Sequence, residues 1–222
     1  MNYPNHVALI MDGNRRWGKL HRVSTYDAYK RGRAVLASIL DAAEEKNIKC
    51  ISCYTFSKEN ALRNNEDIKD VFKVVYDYFD SILRYGTNRR FIFSGDLDIL
   101  KDDSLKELLQ NVEKTTENNK GLIVNIAIGY SAQDEIIRAA NAAAKNGAIT
   151  KELFEKELYS SKLPQLDMII RTGGEVRLSN FMLYQSAYAE LFFVDKLWCD
   201  FTKDNFFALL DQFSNITRNY GK

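Results

Sequence analysis

The chain has 222 residues, with 31 Lys+Arg against 30 Asp+Glu and 45% hydrophobic residues, a globular composition that argues against disorder, collagen or a coiled coil. A formal charge of +1 also argues against a surface coated in basic charge for nucleic-acid binding. The total hides an asymmetry: residues 1–33 hold seven Lys/Arg and two Asp, a local +5, which leaves −4 on the remainder and suits a small, local anionic ligand.

The first β-type run is 7–11, followed by Asp12-Gly13-Asn14-Arg15-Arg16-Trp17. A helical face at Val35, Leu36, Ile39, Leu40 and Ala43 leads to a second strand at 50–56. Ile68, Val71, Phe72, Val75, Phe79, Ile82 and Leu83 mark the next helix, and 91–94 the third strand. Leu105, Leu108, Leu109 and Val112 then precede a strand at 122–128. All these faces repeat at helical three-to-four spacing. Helices at 132–145 and 151–159 lead to a strand at 168–170, a weaker one at 191–194 and a last helix at 203–218. Two prolines, no Gly/Ser linker and no repeat predict a single domain over 1–222. The fold class is α/β, with a central, mostly parallel sheet of about six strands flanked by helices. No G-x-G-x-x-G occurs, so the sheet is not read as a dinucleotide-binding one.

Three cysteines, Cys50, Cys53 and Cys199, are too few for a secreted disulfide framework. Cys50 and Cys53 sit three apart in a strand and point to opposite faces, which favours buried thiols over half a zinc site. The first residues carry no basic-then-apolar signal segment, and no apolar stretch approaches the roughly 18 residues of a membrane span. The expected location is cytoplasmic.

Ligands of such sheets bind outside the carboxyl ends of the strands. There the sequence places Asp12 to Trp17, then Ser57-Lys58-Glu59-Asn60-Ala61-Leu62-Arg63, Gly95-Asp96, Gly129-Tyr130-Ser131, and Arg171-Thr172-Gly173-Gly174-Glu175-Val176-Arg177-Leu178-Ser179-Asn180. Arg15, Arg16, Arg63, Arg171 and Arg177 with Gly13, Gly173 and Gly174 point to phosphate, which guanidinium forks and helix-start amides both favour; solvated rim arginines are the plainer alternative. Asp12 would hold Mg2+ beside phosphates or cap the following helix. Glu190 is either a second metal ligand or a structural acid. Gly13-Asn14-Arg15-Arg16-Trp17-Gly18-Lys19-Leu20 mimics a P-loop, but Leu20 lacks the required hydroxyl and two Arg and a Trp crowd the cradle.

At these residues the sequence resembles the cis-prenyltransferases, most closely their bacterial undecaprenyl diphosphate synthase branch. The matching segments, in order, are His6 to Trp17, Tyr54 to Asn60, Arg171 to Phe181, Tyr188-Ala189-Glu190-Leu191-Phe192-Phe193 and Leu197-Trp198-Cys199-Asp200-Phe201. The resemblance implies a Mg2+-dependent enzyme that adds isopentenyl diphosphate, in cis, to farnesyl diphosphate. It makes Asp12, Ser57 and Asn60 the catalytic residues and Asp12 with Glu190 the metal ligands. It assigns substrate binding to Gly13, Asn14, Arg15, Arg16, Trp17, Ser57, Lys58, Glu59, Ala61, Arg63, Arg171, Arg177, Leu178 and Ser179. A homodimer is also expected from the resemblance; the growing, oily substrate suggests transient membrane contact at product release, and the near-neutral charge argues against a nucleic-acid partner. The remaining alternatives are a P-loop-like nucleotide hydrolase and a non-catalytic partner subunit, although such subunits tend to lose the Asp and the R-T-G-G loop kept here. Neutral Asn60 has no useful basicity near neutral pH, so it orients a water or the substrate's diphosphate.

The chain departs from the family pattern at Thr25 and Tyr29, where relatives commonly carry Arg and His, and at Val176, Ala61 and Gly129 to Gln133. Arg15 stands where many bacterial members have Gly. Arg15, Arg22 or Lys30 is expected to supply the charge missing at Thr25. Single alanine substitutions should therefore weaken farnesyl diphosphate affinity at one of the three; unchanged affinity at all three would end that idea.

Overall fold

The computed structural model describes residues 2–62, 65–145 and 147–218. Its strands are β1 (His6–Ile10), β2 (Cys50–Ser57), β3 (Arg90–Ser94), β4 (Ile123–Tyr130), β5 (Met168–Arg171) and β6 (Glu190–Phe193). They form one sheet in the order β3-β4-β2-β1-β5-β6, with every neighbouring pair parallel. The helices are α1 (Asn14–His21), α2 (Thr25–Glu45), α3 (Asn65–Tyr85), α4 (Asp103–Thr116), α5 (Ala132–Ala144), α6 (Lys151–Glu157) and α7 (Lys203–Ser214). Each expected strand forms, with ends displaced by a residue or two. The helices expected to reach 159 and 218 stop at Glu157 and Ser214. Helix α1 is the element that periodicity missed. It is eight residues long and contains Gly18, too short to display an amphipathic repeat.

Side chains alternate across the strands. Val7, Leu9, Ile51 and Cys53 join the larger core beneath α2, α3, α4 and α7. Ala8, Ile10 and Ala127 face a smaller one closed by Phe181 and Met182. Helix starts are fixed by side-chain caps. Ser24 accepts the Asp27 N–H of α2 and Ser131 that of Asp134 in α5, while Thr202 and Asn205 form a capping box at α7; such a cap contributes about 1 kcal/mol. Among the described residues no helix is long and apolar enough to cross a membrane.

A buried polar chain crosses four adjacent strands. Ser94 Oγ donates to Asn125 Oδ1 (2.7 Å), Asn125 Nδ2 to Ser52 Oγ (2.9 Å), and Ser52 Oγ lies 2.8 Å from His6 Nε2. His6 Nδ1 lies 2.9 Å from the Pro164 carbonyl, which can only accept. That fixes the neutral tautomer with the proton on Nδ1, and then every bond in the chain runs the same way. Burial drives the His6 pKa down to about 4, against smaller raising effects from the Pro164 carbonyl and Asp167.

Between pH 6.5 and about 4 the unfolded chain binds a proton at His6 that the folded chain refuses, so folding stability rises with pH across this window. Acidification through it is expected to remove about 3 kcal/mol. Denaturant midpoints against pH should show the loss in the native chain and a flatter profile in His6→Gln.

Candidate active site

The site begins where β1 runs into α1. Gly13 occupies the N-cap of α1 at φ 116° and offers no side-chain cap. A Cβ there would meet Leu197 at 2.9 Å, so a bare residue is required. Because Gly13 holds the cap, the Asp12 carboxylate is left for other work, and the capping alternative for Asp12 is not what the fold uses. Its backbone is clamped: the Asp12 carbonyl accepts from Thr172 Oγ1 (2.8 Å) and from Trp198 N–H (3.0 Å). One carboxylate oxygen lies 3.2 Å from Arg16 Nη2 and the other accepts from Arg171 Nη2 at 2.9 Å. Gly173 lies flat beneath this group, since a Cβ there would stand 2.5 Å from Arg16 Nη2.

Arg171 ends β5 and is only 3% exposed. Its Nη1 donates to the Arg177 carbonyl (2.5 Å) and to Ser179 Oγ (2.8 Å), while its Nε is buried without a hydrogen-bond partner. The guanidinium is thus anchored on three sides and holds one donor in reserve. Ser179, Asn180 and Met182 all adopt positive φ (48°, 63° and 46°), strain of the kind that clusters at ligand sites. Asn180 repays it by knitting the wall: its Nδ2 donates to Glu59 Oε1 and Ser131 Oγ, both at 3.0 Å. Burial works to raise the Glu59 carboxyl, but hydrogen bonding led by Asn180 outweighs it and holds the group below the usual carboxylate range.

On the β2 side, Ser57 Oγ accepts from both Asn60 N–H (3.1 Å) and Asn60 Nδ2 (2.8 Å). Both acceptor positions of the hydroxyl are filled, so it acts as a donor, and its hydrogen bond to Glu59 is one of the contacts that hold that carboxyl down. Tyr54 stacks on Phe181 (4.4 Å, 9°) and its hydroxyl donates to the Ser179 carbonyl (3.2 Å); burial raises its pKa.

These groups line a cleft of about 710 Å³ containing Asp12, Gly13, Asn14, Arg15, Arg16, Ser57, Glu59, Asn60, Arg171, Arg177 and Ser179. It opens into a second, apolar cavity of about 100 Å³ walled by Leu36, Val71, Val74, Val75, Tyr78, Phe79 and Ile126. Met11, Asn14, Tyr29, Tyr54 and Thr55 border both. Tyr29, Tyr54, Thr55 and Asn180 were not among the expected site residues. Signals for them did exist: Asn180 ends the R-T-G-G-E-V-R-L-S-N run, Tyr54 and Thr55 open a matching segment, and Tyr29 is one of the departures from the family pattern.

Four expected ligands lie elsewhere. Trp17 donates from Nε1 to Asp200 (2.8 Å) and stacks on His21. Lys58 turns to Asp134 (2.7 Å) and Asp96 (3.8 Å), because successive residues leaving a strand face opposite sides. Leu178 packs on the smaller core. Glu190 opens β6 opposite Met168, and Arg171, which ends β5, pairs with Phe193 three residues on. Glu190 therefore sits at the amino edge of the sheet, near Arg218 (4.0 Å), whereas Asp12 follows the carboxyl end of β1. Within this chain the two expected metal ligands are not brought together. Ala61 lies in the 3-10 turn Glu59–Leu62, and Arg63 falls outside the described residues. The P-loop look-alike is helix from Asn14 onward, so it has no open phosphate cradle.

Among the described residues no cluster of three His, Cys, Asp or Glu side chains could hold a metal by itself. Asp12 and Glu59 are the carboxylates lining the cleft. That donor set fits Mg2+, which takes one or two carboxylates and completes its shell with phosphate oxygens and water.

Residues 10–221 match the family model described as putative undecaprenyl diphosphate synthase. An isoprenyl transferase of Leptospira interrogans is 37% identical, with 99% of this chain and 95% of the relative covered. A probable undecaprenyl diphosphate synthase from Campylobacter jejuni superposes with a TM-score of 0.83 at 33% identity over the whole of both chains. Lavandulyl diphosphate synthase from Lavandula x intermedia, solved with dimethylallyl diphosphate, superposes at 0.91 with 27% identity and 99% coverage of each chain. With the clamped Asp12, the arginine-lined cleft and the adjoining apolar cavity, these matches establish the chain as an enzyme of the cis-prenyltransferase family, of undecaprenyl diphosphate synthase type.

Proposed function

We propose that the enzyme extends farnesyl diphosphate by Mg2+-dependent cis addition of isopentenyl diphosphate. The product is a long-chain polyprenyl diphosphate of the undecaprenyl kind, the lipid carrier precursor for cell-wall glycan synthesis. One observation carries the reading: a polar cleft with four arginines and an apolar cavity share a border of five residues. That arrangement matches an amphiphile with an anionic head and an isoprenoid tail. Gly13, Asn14, Arg15 and Arg16 face the head of the allylic substrate, whose tail enters the apolar cavity. Arg171, Arg177 and Ser179 face the second diphosphate. Asp12 would hold Mg2+ together with the diphosphate, and the ion supplies Lewis-acid stabilisation of the departing charge.

Arg16 and Arg171, already in place around Asp12, stabilise the negative charge that develops as the allylic C–O bond breaks, with no reorganisation at the moment of reaction. The allylic carbon then bonds to the terminal alkene carbon of isopentenyl diphosphate, and a proton leaves the condensing unit. Ser57, a donor that turns from Glu59 to the ligand, orients a diphosphate oxygen or a water to take that proton, and Asn60 holds Ser57 in place. We further read the enzyme as a cytoplasmic homodimer that touches the membrane surface when its oily product leaves. Tyr188 and Leu191, 60% and 44% exposed at the outer edge of the sheet, are apolar surface in keeping with such a contact.

Purified chain with Mg2+, farnesyl diphosphate and labelled isopentenyl diphosphate should yield butanol-extractable label. Absence of label, with or without detergent, would sink the proposal. Asp12→Ala and the gentler Asp12→Asn should each lower kcat by about 10²–10³-fold or more while circular dichroism reports a folded chain; retained turnover would remove Asp12 from the metal site. Tyr78 and Phe79 line the apolar cavity. Tyr78→Ala is expected to shift the product distribution, sized by mass spectrometry, toward longer chains.

A further inference from the structure

Three arginines of the cleft meet carboxylates close at hand: Arg16 and Arg171 share Asp12, and Arg177 reaches Glu175 (2.5 Å). Arg15 differs. It crosses from α1 to α3, where its Nη2 lies 2.9 Å from Asp67 Oδ2. The pair thus ties a residue of the polar cleft, Arg15, to the helix whose Val71, Val75 and Tyr78 wall the apolar cavity.

The pair is built to exchange. The Arg15 side chain is 45% exposed and that of Asp67 17%, and an ion pair this open to water is worth about 0.2–1 kcal/mol. A phosphate offers the same guanidinium more charge and a bidentate set of acceptors. Asp67 keeps a favourable partner without Arg15, for it lies in the first turn of α3, where the positive end of the helix favours an anion. Both partners are therefore stable on either side of an exchange.

We propose that Asp67 is a built-in competitor for the ligand's phosphate: Arg15 passes between Asp67 and the bound diphosphate, and the carboxylate sets how tightly the cleft holds that group. The proposal rests on the diphosphate reading of the cleft. Of Arg15, Arg22 and Lys30, Arg15 is the one that lines the cleft, so the charge missing at Thr25 comes from a residue whose grip Asp67 tempers. In repeated additions, a tempered grip speeds release of the spent diphosphate.

The test is calorimetric titration of inorganic pyrophosphate, with Mg2+, into the native chain, Asp67→Asn, Arg15→Ala and the double variant. Asp67→Asn should tighten binding by about two- to fivefold, and Asp67→Ser, equally suited to a first helical turn, should reproduce the gain. In the Arg15→Ala background the same change should leave affinity unaltered. An equal gain in both backgrounds would mean that Asp67 acts through its field on the ligand and not through Arg15. No gain in the native background would remove the competition. Either result overturns the proposal. Failure of the native chain to bind pyrophosphate would instead overturn the diphosphate reading, and the exchange with it.

Discussion

The structure depends on the pairing of Asp12 with Arg171. A guanidinium that is 3% exposed costs several kcal/mol to desolvate unless it is paired and hydrogen-bonded. Here the partner is supplied by the neighbouring strand. Parallel pairing sets Ile10 of β1 opposite Arg171 of β5, so the residue two beyond Ile10 comes within reach of the guanidinium. The glycines on both sides serve the same pair. Gly13 lets the chain turn into α1 without spending Asp12 on a cap, and Gly173 lets the second loop lie against the first.

Around that pair the fold joins two solvents. The apolar stripes of α2 and α3 bury their centres against β2 and β4, yet near the carboxyl edge they stop short of closing and leave the small cavity. The polar cleft begins where those stripes end. Its arginines are held by carboxylates, so the open site is close to charge-balanced. A phosphate ligand of the kind proposed would therefore meet arginines already oriented by carboxylates and not bare positive charge.

Much of this was legible beforehand. Strand and helix alternate with distinct periods, so β1 to β6 and α2 to α7 could be read along the chain from Val7 onward, and Asp12 with the arginines of both loops followed from what stands after each strand. Other features were not legible. Trp17, Lys58 and Leu178 belong to the motif segments, but a contiguous motif cannot say which of its side chains turns inward. Lys58 leaves for Asp134 and Asp96 because its neighbours Ser57 and Glu59 face the cleft. Helix α1 was too short for its period to show. Tyr29 and Tyr54 stood in the family comparison, one as a departure and one in a matching segment, but that both border the two cavities shows only when their elements are packed together.

The sequence by itself determined the α/β class, the order of its elements and the family, because periodicity and long ordered motifs are local properties of the chain. It also pointed to the residue types that would meet the ligand, since arginines and glycines recur after the strands and Asp12 is the lone acid of the first loop. Only the tertiary structure decided which of them share a cavity. Glu190 and Asp12 both belong to matching motifs, yet parallel strands have two ends, and each residue's end is set by register. Arg15 and Asp67 lie far apart in sequence, and their ion pair exists only because α1 and α3 border the same opening.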